Sequence, residues 1–176
     1  MTPANRDPLE PILARASCRA YRSDPLPDGD LDRLIEAMLR APSAGNRQPW
    51  HFLIVRSQEL RDQLVEAALG QDFLAQAPVV VVICADAEQS AARYGERGRS
   101  LYVLQDTAAA TENLLIAATA LGYGSCWVGA FDEDRVCAIL DLPGRLRPVA
   151  MVPIGRPAER LEPSERRPRR DVIETR

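Results

Sequence analysis

The segment 78–85, with the sequence PVVVVICA, constrains the fold more than any other part of the chain. Its β-branched residues follow one another without the polar alternation of a strand that faces water on one side. A run of this kind is typical of a strand that is buried on both faces. The sequence therefore predicts a sheet with this strand in its interior.

Helices and strands are mixed along the rest of the chain. Leu31, Leu34 and Met38 recur at helical spacing and predict an amphipathic helix over 28–40, with an acidic cap at its start. The other predicted elements are helices at 58–69, 101–121 and 132–140, and strands at 50–56, 125–128 and 148–154. Because this order is not a steady βαβ alternation, we expect an α+β fold rather than a doubly wound one.

The alanine- and leucine-rich helix predicted at 101–121 is apolar on most of its surface. Two stripes of mainly apolar residues run along it: Leu104, Ala108, Thr111, Leu115 and Ala118, and Ala110, Leu114, Ala117 and Leu121. A helix that is apolar on most sides has to be buried on most sides. It is either the central helix of the core or a seam between two copies of the chain, and both alternatives fit the sequence.

Length and charge exclude several classes of protein. The 176 residues suit one domain, which we place at 1–176 with a basic tail over about 156–176. A net charge of −3 argues against a general nucleic-acid-binding protein. No apolar run approaches the roughly 20 residues of a membrane span, and residues 1–6 lack the apolar core of a secretion signal. We therefore expect a cytoplasmic protein without a membrane partner.

Cysteine and histidine offer poor material for a metal site. The cysteines Cys18, Cys84, Cys126 and Cys137 form no close C-x-x-C pair, and the single histidine, His51, is far from them in sequence. The spacing does not exclude a catalytic Cys–His pair. Cysteines in apolar stretches are more often small core residues, so we expect reduced, structural thiols and no metal.

All 22 basic residues are arginine, which excludes Schiff-base chemistry by lysine. Arg15 and Arg19 flank Ser17 near the end of the first predicted helix. Guanidinium groups bind phosphate oxygens in a forked geometry, and a serine hydroxyl adds a short donor. The cluster is either an anion site or a solvated charged surface.

The tail carries four further arginines between residues 166 and 170. Such a run is usually solvated, and because buried arginines need partners, we favour that interpretation for at least two of the four. The others could fold over a phosphate and neutralise it.

A loop rich in polar residues and proline lies between the predicted helix 28–40 and the strand 50–56. Ser43, Asn46 and Gln48 offer donors and acceptors for a polar ligand with several hydrogen-bonding edges. The alternative is an ordinary connection in which Asn46 and Gln48 satisfy the backbone of the turn.

Three glycines surround an apolar segment that contains Trp127. Gly122, Gly124 and Gly129 would let backbone N–H groups approach a flat ligand closely. The alternative is a helix end followed by a core strand, which explains Gly122 and Gly124 better than Gly129. Neither a G-x-G-x-x-G pattern nor a P-loop is present.

The order of these segments resembles that of the nitroreductase family of FMN-dependent flavoproteins. The resemblance rests on RASCRAY, APSAGNRQPWHF, the AP before the buried strand, QDTAAATENLLIAA, and GYGSCWVGAF with IGRP downstream. It extends from Arg15 to about Ile173, as in a short-chain member of the family. It implies an α+β fold with a mixed, mostly antiparallel sheet flanked by helices, and a homodimer that holds FMN at its interface.

The resemblance also implies which residues bind FMN. Residues of one subunit would contact the phosphate or ribityl end and the pyrimidine edge, while polar residues of the 43–48 loop would reach in from the other subunit. A turn with a backbone N–H near N5 would lie along the isoalloxazine ring, and a tail arginine would clamp the phosphate. The residues of the first subunit are Arg15 at the phosphate or ribityl end, Ser17, and Arg19 at the pyrimidine edge, with Gln71 as a further pyrimidine contact. The residues from the other subunit are Ser43, Asn46 and Gln48. Trp127, Val128 and Gly129 form the turn along the isoalloxazine ring, and Arg166 or Arg167 is the tail arginine.

The implied activity is ping-pong hydride transfer from NAD(P)H, through N5 of FMN, to a nitroaromatic, a quinone or a similar acceptor. The flavin would carry the redox chemistry, so no catalytic side chain is expected. Arg19 is the candidate cation for stabilising the anionic reduced flavin near N1 and C2=O. The alternatives are a dehalogenase, flavin-fragmenting or dehydrogenase activity on the same fold, and a module that binds or senses FMN without turnover.

Three features depart from the pattern of the family. The chain leaves little room for the helical insertion with which longer members cover the pocket. Residues 171–176 form only a stub of the C-terminal strand that many members exchange across the dimer. The acidic residue that some nitro-reducing members carry beside N5 has no counterpart around Gly129. The acceptor, and the choice between NADH and NADPH, therefore stay open.

Overall fold

The computed structural model describes residues 7–176 of the chain. Residues 1–6, on which the expectation of a cytoplasmic protein partly depends, lie outside this range. Within it, no helix combines the length and the apolar character needed to cross a membrane.

Four strands of the described chain form one antiparallel sheet. In spatial order they are β1 (Trp50–Val55), β2 (Val79–Asp86), β4 (Leu146–Gly155) and β3 (Gly124–Ser125). β2 lies inside the sheet, paired with β1 on one side and with β4 on the other. All of its residues from 79 to 85 are buried. The prediction of an interior strand buried on both faces is confirmed.

Helices pack on both faces of this sheet. Their bounds are α1 Glu10–Ala14, α2 Asp28–Leu39, α3 Gln58–Ala67, α4 Phe73–Gln76, α5 Ala87–Arg97, α6 Val103–Ala120 and α7 Glu133–Ile139. Short helical turns lie at Ala44–Asn46, Gly98–Tyr102 and Arg169–Asp171. The predicted α+β class, with a sheet flanked by helices, is confirmed. The sheet was expected to be mixed and mostly antiparallel; its described strands all pair antiparallel, and the single parallel contact is the isolated bridge between Ser17 and Ser125.

The alternation of side chains along β2 divides the core into two halves. Val79 and Val81 belong to an apolar cluster with residues of α2 and α6. Val80 and Val82 belong to a second cluster with residues of α3, α4 and α7. Burial of each such side chain contributes about 1.5–3 kcal/mol of transfer free energy, so the strand stabilises both layers of helices at once.

Helix α6 is a core helix of the chain along one of its sides. Ala110, Leu114 and Ala118 are fully buried, and Leu114 and Ala118 pack in the same cluster as α2 and β2. Leu104, at the N-terminal end of the predicted stripe that also contains Ala118, is 40% exposed. The helix therefore keeps some apolar surface free after its own core is complete.

The strand predicted at 125–128 is shorter because of a proline in its neighbour. β3 ends at Ser125, which pairs with Ile154, and the same register resumes where Val128 pairs with Met151. Between these pairs Cys126 would face Pro153, which has no N–H to donate to the ladder. The interruption releases the chain at Trp127 from the sheet.

Helix α5 and the π-helical turn Gly98–Tyr102 are not predicted by the hydrophobic pattern. Only Ser90 of α5 is buried, so the helix has almost no apolar stripe. The turn packs back closely, because a Cβ at Gly98 would lie 2.7 Å from the carbonyl oxygen of Ser90. The continuous helix predicted from 101 therefore begins as α6 only at Val103.

Candidate functional site

The segment 15–19 runs beside the sheet with alternating burial. Ala16 and Cys18 are buried, whereas Arg15 is half-buried and Ser17 and Arg19 are exposed. In an extended chain, successive side chains point to opposite sides. The two arginines and the serine of the predicted anion cluster therefore lie on one side of the segment, as a phosphate or flavin site requires.

Contacts with β3 hold this segment in place. Ser17 forms a parallel bridge with Ser125, and the Cys18 N–H donates to the Ser125 carbonyl at 2.9 Å. The Tyr21 hydroxyl donates to the Cys18 carbonyl at 2.8 Å. A Cβ at Gly124 would lie only 2.6 Å from the Cys18 Sγ, so this close approach requires glycine. Gly124 thus acts by letting the 15–19 segment dock.

The basic tail folds back over the same region. The Ala158 N–H donates to the Ala20 carbonyl, and the Arg22 N–H donates to the Arg156 carbonyl, each at 2.9 Å. Leu161 then packs against the small cluster formed around Cys18. These contacts bring the following part of the tail to the side of the segment that carries Arg15.

A cleft of about 560 Å³ opens between α1, α6, the 15–19 segment and the tail. Its polar and charged side chains are Arg15, Ser17, Glu112, Ser164 and Arg166. Its apolar side chains are Ile12, Leu13, Leu115, Trp127 and Pro163. Four of the predicted site residues, from three distant parts of the chain, therefore meet in one place: Arg15, Ser17, Trp127 and Arg166.

The cleft is suited to a ligand with an anionic end and a flat apolar part. Two guanidinium groups face one carboxylate, that of Glu112, so the balance of charge favours an anion. The ring of Trp127 is 41% exposed, and Leu13 is 67% exposed. Volumes of roughly 300–1,000 Å³ are typical of small-molecule sites.

The cysteines are free, and burial keeps most of them neutral. Cys18, Cys84 and Cys126 are buried and Cys137 is half-buried. Burial raises the pKa of Cys84 to about 12. Burial also raises the pKa of Cys126, although Arg19, the hydrogen bond with Ser17 and Arg15 act in the opposite direction. Between residues 7 and 176, no group of three or more His, Cys, Asp or Glu residues is arranged to hold a metal ion.

The turn 127–129 presents its residues unequally. The Trp127 side chain lines the cleft, while Val128 is buried in the second apolar cluster. The Val128 N–H donates to the Met151 carbonyl at 2.9 Å, and the Val128 carbonyl accepts in return. Val128 therefore has no free backbone donor, so the N–H predicted to lie near N5 has to belong to Trp127 or Gly129. Gly129 is exposed, and within the described chain its N–H makes no backbone hydrogen bond.

Ser43, Asn46 and Gln48 lie together in the loop between α2 and β1, and they do not line the cleft. The Ser43 hydroxyl accepts from the Gln48 N–H at 3.0 Å, and the Gln48 amide donates to the Asn46 carbonyl at 3.4 Å. The predicted site residues therefore form two groups on one subunit.

The remaining predicted residues lie at the edge of the site or outside it. Arg19 and Arg167 are exposed and do not line the cleft, and Arg167 donates to the Asp171 carbonyl at 3.3 Å. The Gln71 side-chain amide donates to the carbonyls of Ala68 and Ala130, at 2.9 and 3.0 Å. Gln71 thereby fixes the chain just after Gly129, which is a structural use of its amide.

Several residues of this region were not predicted. Ile12, Leu13, Glu112, Leu115, Pro163 and Ser164 line the cleft. No local motif marks them, since each reaches the cleft through the packing of α1, α6 and the tail. Asp106, which contacts the 43–48 loop, carries a signal that the sequence does offer: it is a charged residue on the buried side of an apolar helix.

Comparison with known proteins assigns the family. A family model described as the nitroreductase family matches residues 12–71 and 67–156. A protein of Thermus thermophilus named NADH dehydrogenase is 36% identical in an alignment that covers 92% of each chain. A Bacillus subtilis protein named FMN reductase (NAD(P)H) is 29% identical, over 93% of this chain and 71% of its own length.

A solved structure gives the same result for the fold. The crystal structure of a nitroreductase family protein from Streptococcus pneumoniae superposes with a TM-score of 0.87 and 28% sequence identity. The match covers 96% of this chain and 99% of the other. The family predicted from the sequence motifs is therefore confirmed, and the chain belongs to the nitroreductase family.

Proposed function

We propose that this protein is an FMN-dependent oxidoreductase that transfers hydride from NAD(P)H to a nitroaromatic, a quinone or a similar small acceptor by a ping-pong mechanism. Its membership of the nitroreductase family supports the enzyme class, a flavin-dependent NAD(P)H oxidoreductase. FMN would supply the redox chemistry, at its N5 atom.

The observation that carries the proposal is the cleft. Arg15 and Ser17, Trp127, and Arg166 come from three separate segments and meet around a space of about 560 Å³. Paired guanidinium groups and a hydroxyl suit a phosphate, and an exposed indole beside aliphatic side chains suits a flat ring system. An anionic group joined to an aromatic ring is the chemistry of a flavin mononucleotide.

The residues have separate tasks in this site. Arg15 and Arg166 would bind the phosphate or ribityl end, with Ser17 as an additional donor, because all three line the cleft. Arg166 is favoured over Arg167 for this task, since Arg167 does not line it. Gly129, whose N–H makes no backbone hydrogen bond within the described residues, is the candidate donor to N5. Arg19 would place its charge near the pyrimidine edge.

We also propose that the working form is a homodimer in which the 43–48 loop of each subunit completes the cleft of the other. Ser43, Asn46 and Gln48 are the polar residues that the resemblance assigns to the cofactor, and on their own subunit they lie outside the cleft. Ile12 and Leu13, at its rim, are 50% and 67% exposed. A second copy would cover this apolar rim and exclude water from the flavin.

The test is the absorption spectrum of the protein purified in the presence of FMN, followed by NAD(P)H oxidation with a nitroaromatic and with a quinone. We expect bound flavin near one per chain and steady NAD(P)H consumption that depends on the acceptor. A colourless protein that takes up no added FMN contradicts the proposal. Bound FMN without turnover of any acceptor instead supports a binding or sensing module, which is the competing function.

A further inference from the structure

Asp106 is an acidic residue in the apolar helix α6, and its carboxylate is buried. The residue is 6% exposed. One carboxylate oxygen accepts a hydrogen bond from the Ala44 N–H at 3.0 Å. The other oxygen is also buried and has no hydrogen-bond partner within the described chain. Burial raises the pKa of this carboxyl, while the bond from Ala44 acts in the opposite direction.

Burying a carboxyl group with a single hydrogen bond is costly. A leucine or an alanine would fit the apolar pattern of α6 at lower cost. The contact with Ala44 is therefore the feature of this position that an apolar side chain could not supply. It joins the core helix to the 43–48 loop.

That loop has a strained backbone. Gly45, Asn46 and Gln48 have φ values of 54°, 53° and 51°. Left-handed conformations are unfavourable for residues other than glycine, less so for asparagine, and persist where surrounding contacts enforce them. Two of these strained residues, Asn46 and Gln48, are proposed cofactor ligands.

Two other hydrogen-bonded contacts of the loop are weaker anchors. Arg47 donates to the Gln89 carbonyl and Gln89 donates back to the Arg47 carbonyl, both at 3.2 Å and both exposed to solvent. The bond between Ser43 and Gln48 lies within the loop itself. Asp106 thus provides a buried, charge-assisted attachment to a rigid element.

We propose that Asp106 is a positioning residue: its carboxylate anchors the Ala44 N–H and so holds Ser43, Asn46 and Gln48 in the arrangement that contacts the cofactor. The inference rests on the proposed function, because these three side chains are assigned to FMN there. Asp106 contacts the loop through the Ala44 N–H and does not line the cleft.

The first experiment measures the loop without any flavin. Trypsin cleaves after arginine, and Arg47 lies inside the loop. Asp106→Ala should raise the rate of cleavage after Arg47 on the order of tenfold or more, because local opening of the loop exposes that peptide bond. The rate is measured on the apo protein by mass spectrometry. Asp106→Asn keeps an oxygen for the Ala44 N–H and should stay near the wild-type rate.

Matched variants separate anchoring from loss of stability. Thr111→Val removes another buried polar group of α6, whose hydroxyl donates to the Thr107 carbonyl, and should leave cleavage after Arg47 unchanged. Ala44→Pro deletes the donor from the loop side, at the first residue of a short helical turn where proline is tolerated. Ala44→Pro should raise the rate of cleavage after Arg47 by the amount expected of Asp106→Ala. It therefore tests the same contact even if the Asp106→Ala protein does not fold.

The second experiment is the FMN dissociation constant of the same variants. Asp106→Ala and Ala44→Pro should weaken FMN binding on the order of tenfold, while Asp106→Asn and Thr111→Val remain close to wild type. Unchanged cleavage after Arg47, or faster cleavage with unchanged FMN affinity, overturns the positioning role. If the wild-type protein binds no FMN, the proposed function fails, and proteolysis still decides whether Asp106 anchors the loop.

Discussion

At the scale of single residues, the hydrogen-bond register of the 15–19 segment decides which side chains reach the cleft. The Cys18 N–H bonds to Ser125, so Ala16 and Cys18 point into the protein and Arg15 and Ser17 point out. A shift by one residue would exchange the two sets. Gly124 secures the register, because any side chain there would collide with Cys18.

Arg15→Ala tests the anion site directly. Removing a half-buried guanidinium from a phosphate should weaken FMN binding by about 2 kcal/mol or more, which is roughly 30-fold in Kd. The measurement is a fluorescence titration of the apo protein with FMN. Arg22→Ala is the matched control, since that exposed arginine pairs with Asp24 and does not line the cleft. Equal affinities of the two variants would leave the cluster as charged surface.

At the scale of elements, an ion pair joins helix α7 to strand β4. Arg147 donates to both carboxylate oxygens of Glu133, at 2.7 and 2.8 Å. The hydrogen bonds from Arg147 hold the pKa of Glu133 below its ordinary value of 4.5, and they raise the pKa of Arg147. Both side chains remain 43% or more exposed, so solvent screens the pair.

Glu133→Gln should reduce the free energy of unfolding by about 0.5–1 kcal/mol at neutral pH. A carboxyl with a lowered pKa stabilises the fold above its unfolded pKa, and this contribution disappears as the pH falls through the folded pKa. The difference between wild type and variant should therefore vanish well below pH 4.5. Urea unfolding of wild type and variant, at neutral pH and well below pH 4.5, measures this difference in the free energy of unfolding. Glu159→Gln removes an exposed carboxylate that lies outside the helices and forms no ion pair in the described chain, so it should make no such difference.

At the scale of the whole molecule, the proposed site is divided between two groups that one subunit does not bring together. Arg15 belongs to the cleft, and Asn46 belongs to the 43–48 loop outside it. A two-fold interface places equivalent contacts twice, so each of two sites would take one group from each subunit. The exposed apolar residues at the rim of the cleft give such an interface its contact area.

Mixing two inactive variants tests this arrangement. Arg15→Ala and Asn46→Ala should each bind FMN weakly, whereas a co-expressed mixture should recover about a quarter of the wild-type sites, because half of the dimers are mixed and each contains one intact site. Flavin content and NAD(P)H oxidation are the readouts. No recovery on mixing, or a flavin-bound monomer by light scattering, would contradict the shared site.

Local patterns predicted most of the elements that have an apolar stripe. The interior strand, the amphipathic helix at Asp28–Leu39 and the helix at Gln58–Ala67 follow from hydrophobic spacing. Helix α5 was missed because it has almost no apolar stripe: its one buried residue is Ser90. The strand predicted at 125–128 was too long, because the proline that interrupts it, Pro153, lies about 25 residues further along the chain, in β4.

The sequence by itself determined the family, the fold class and the kinds of residue available for a flavin, because short motifs and hydrophobic periodicity are local properties. Because the chain contains arginine but no lysine, the sequence also determined that the cationic side chains of the site are guanidinium groups, which donate in a forked geometry. Only the tertiary structure decided which of these residues meet. Arg166 rather than Arg167 lines the cleft, and Val128 packs in the core. Asp106 accepts a hydrogen bond from the 43–48 loop. These outcomes depend on contacts between distant segments, which hydrogen-bond register and packing fix and which no local pattern encodes.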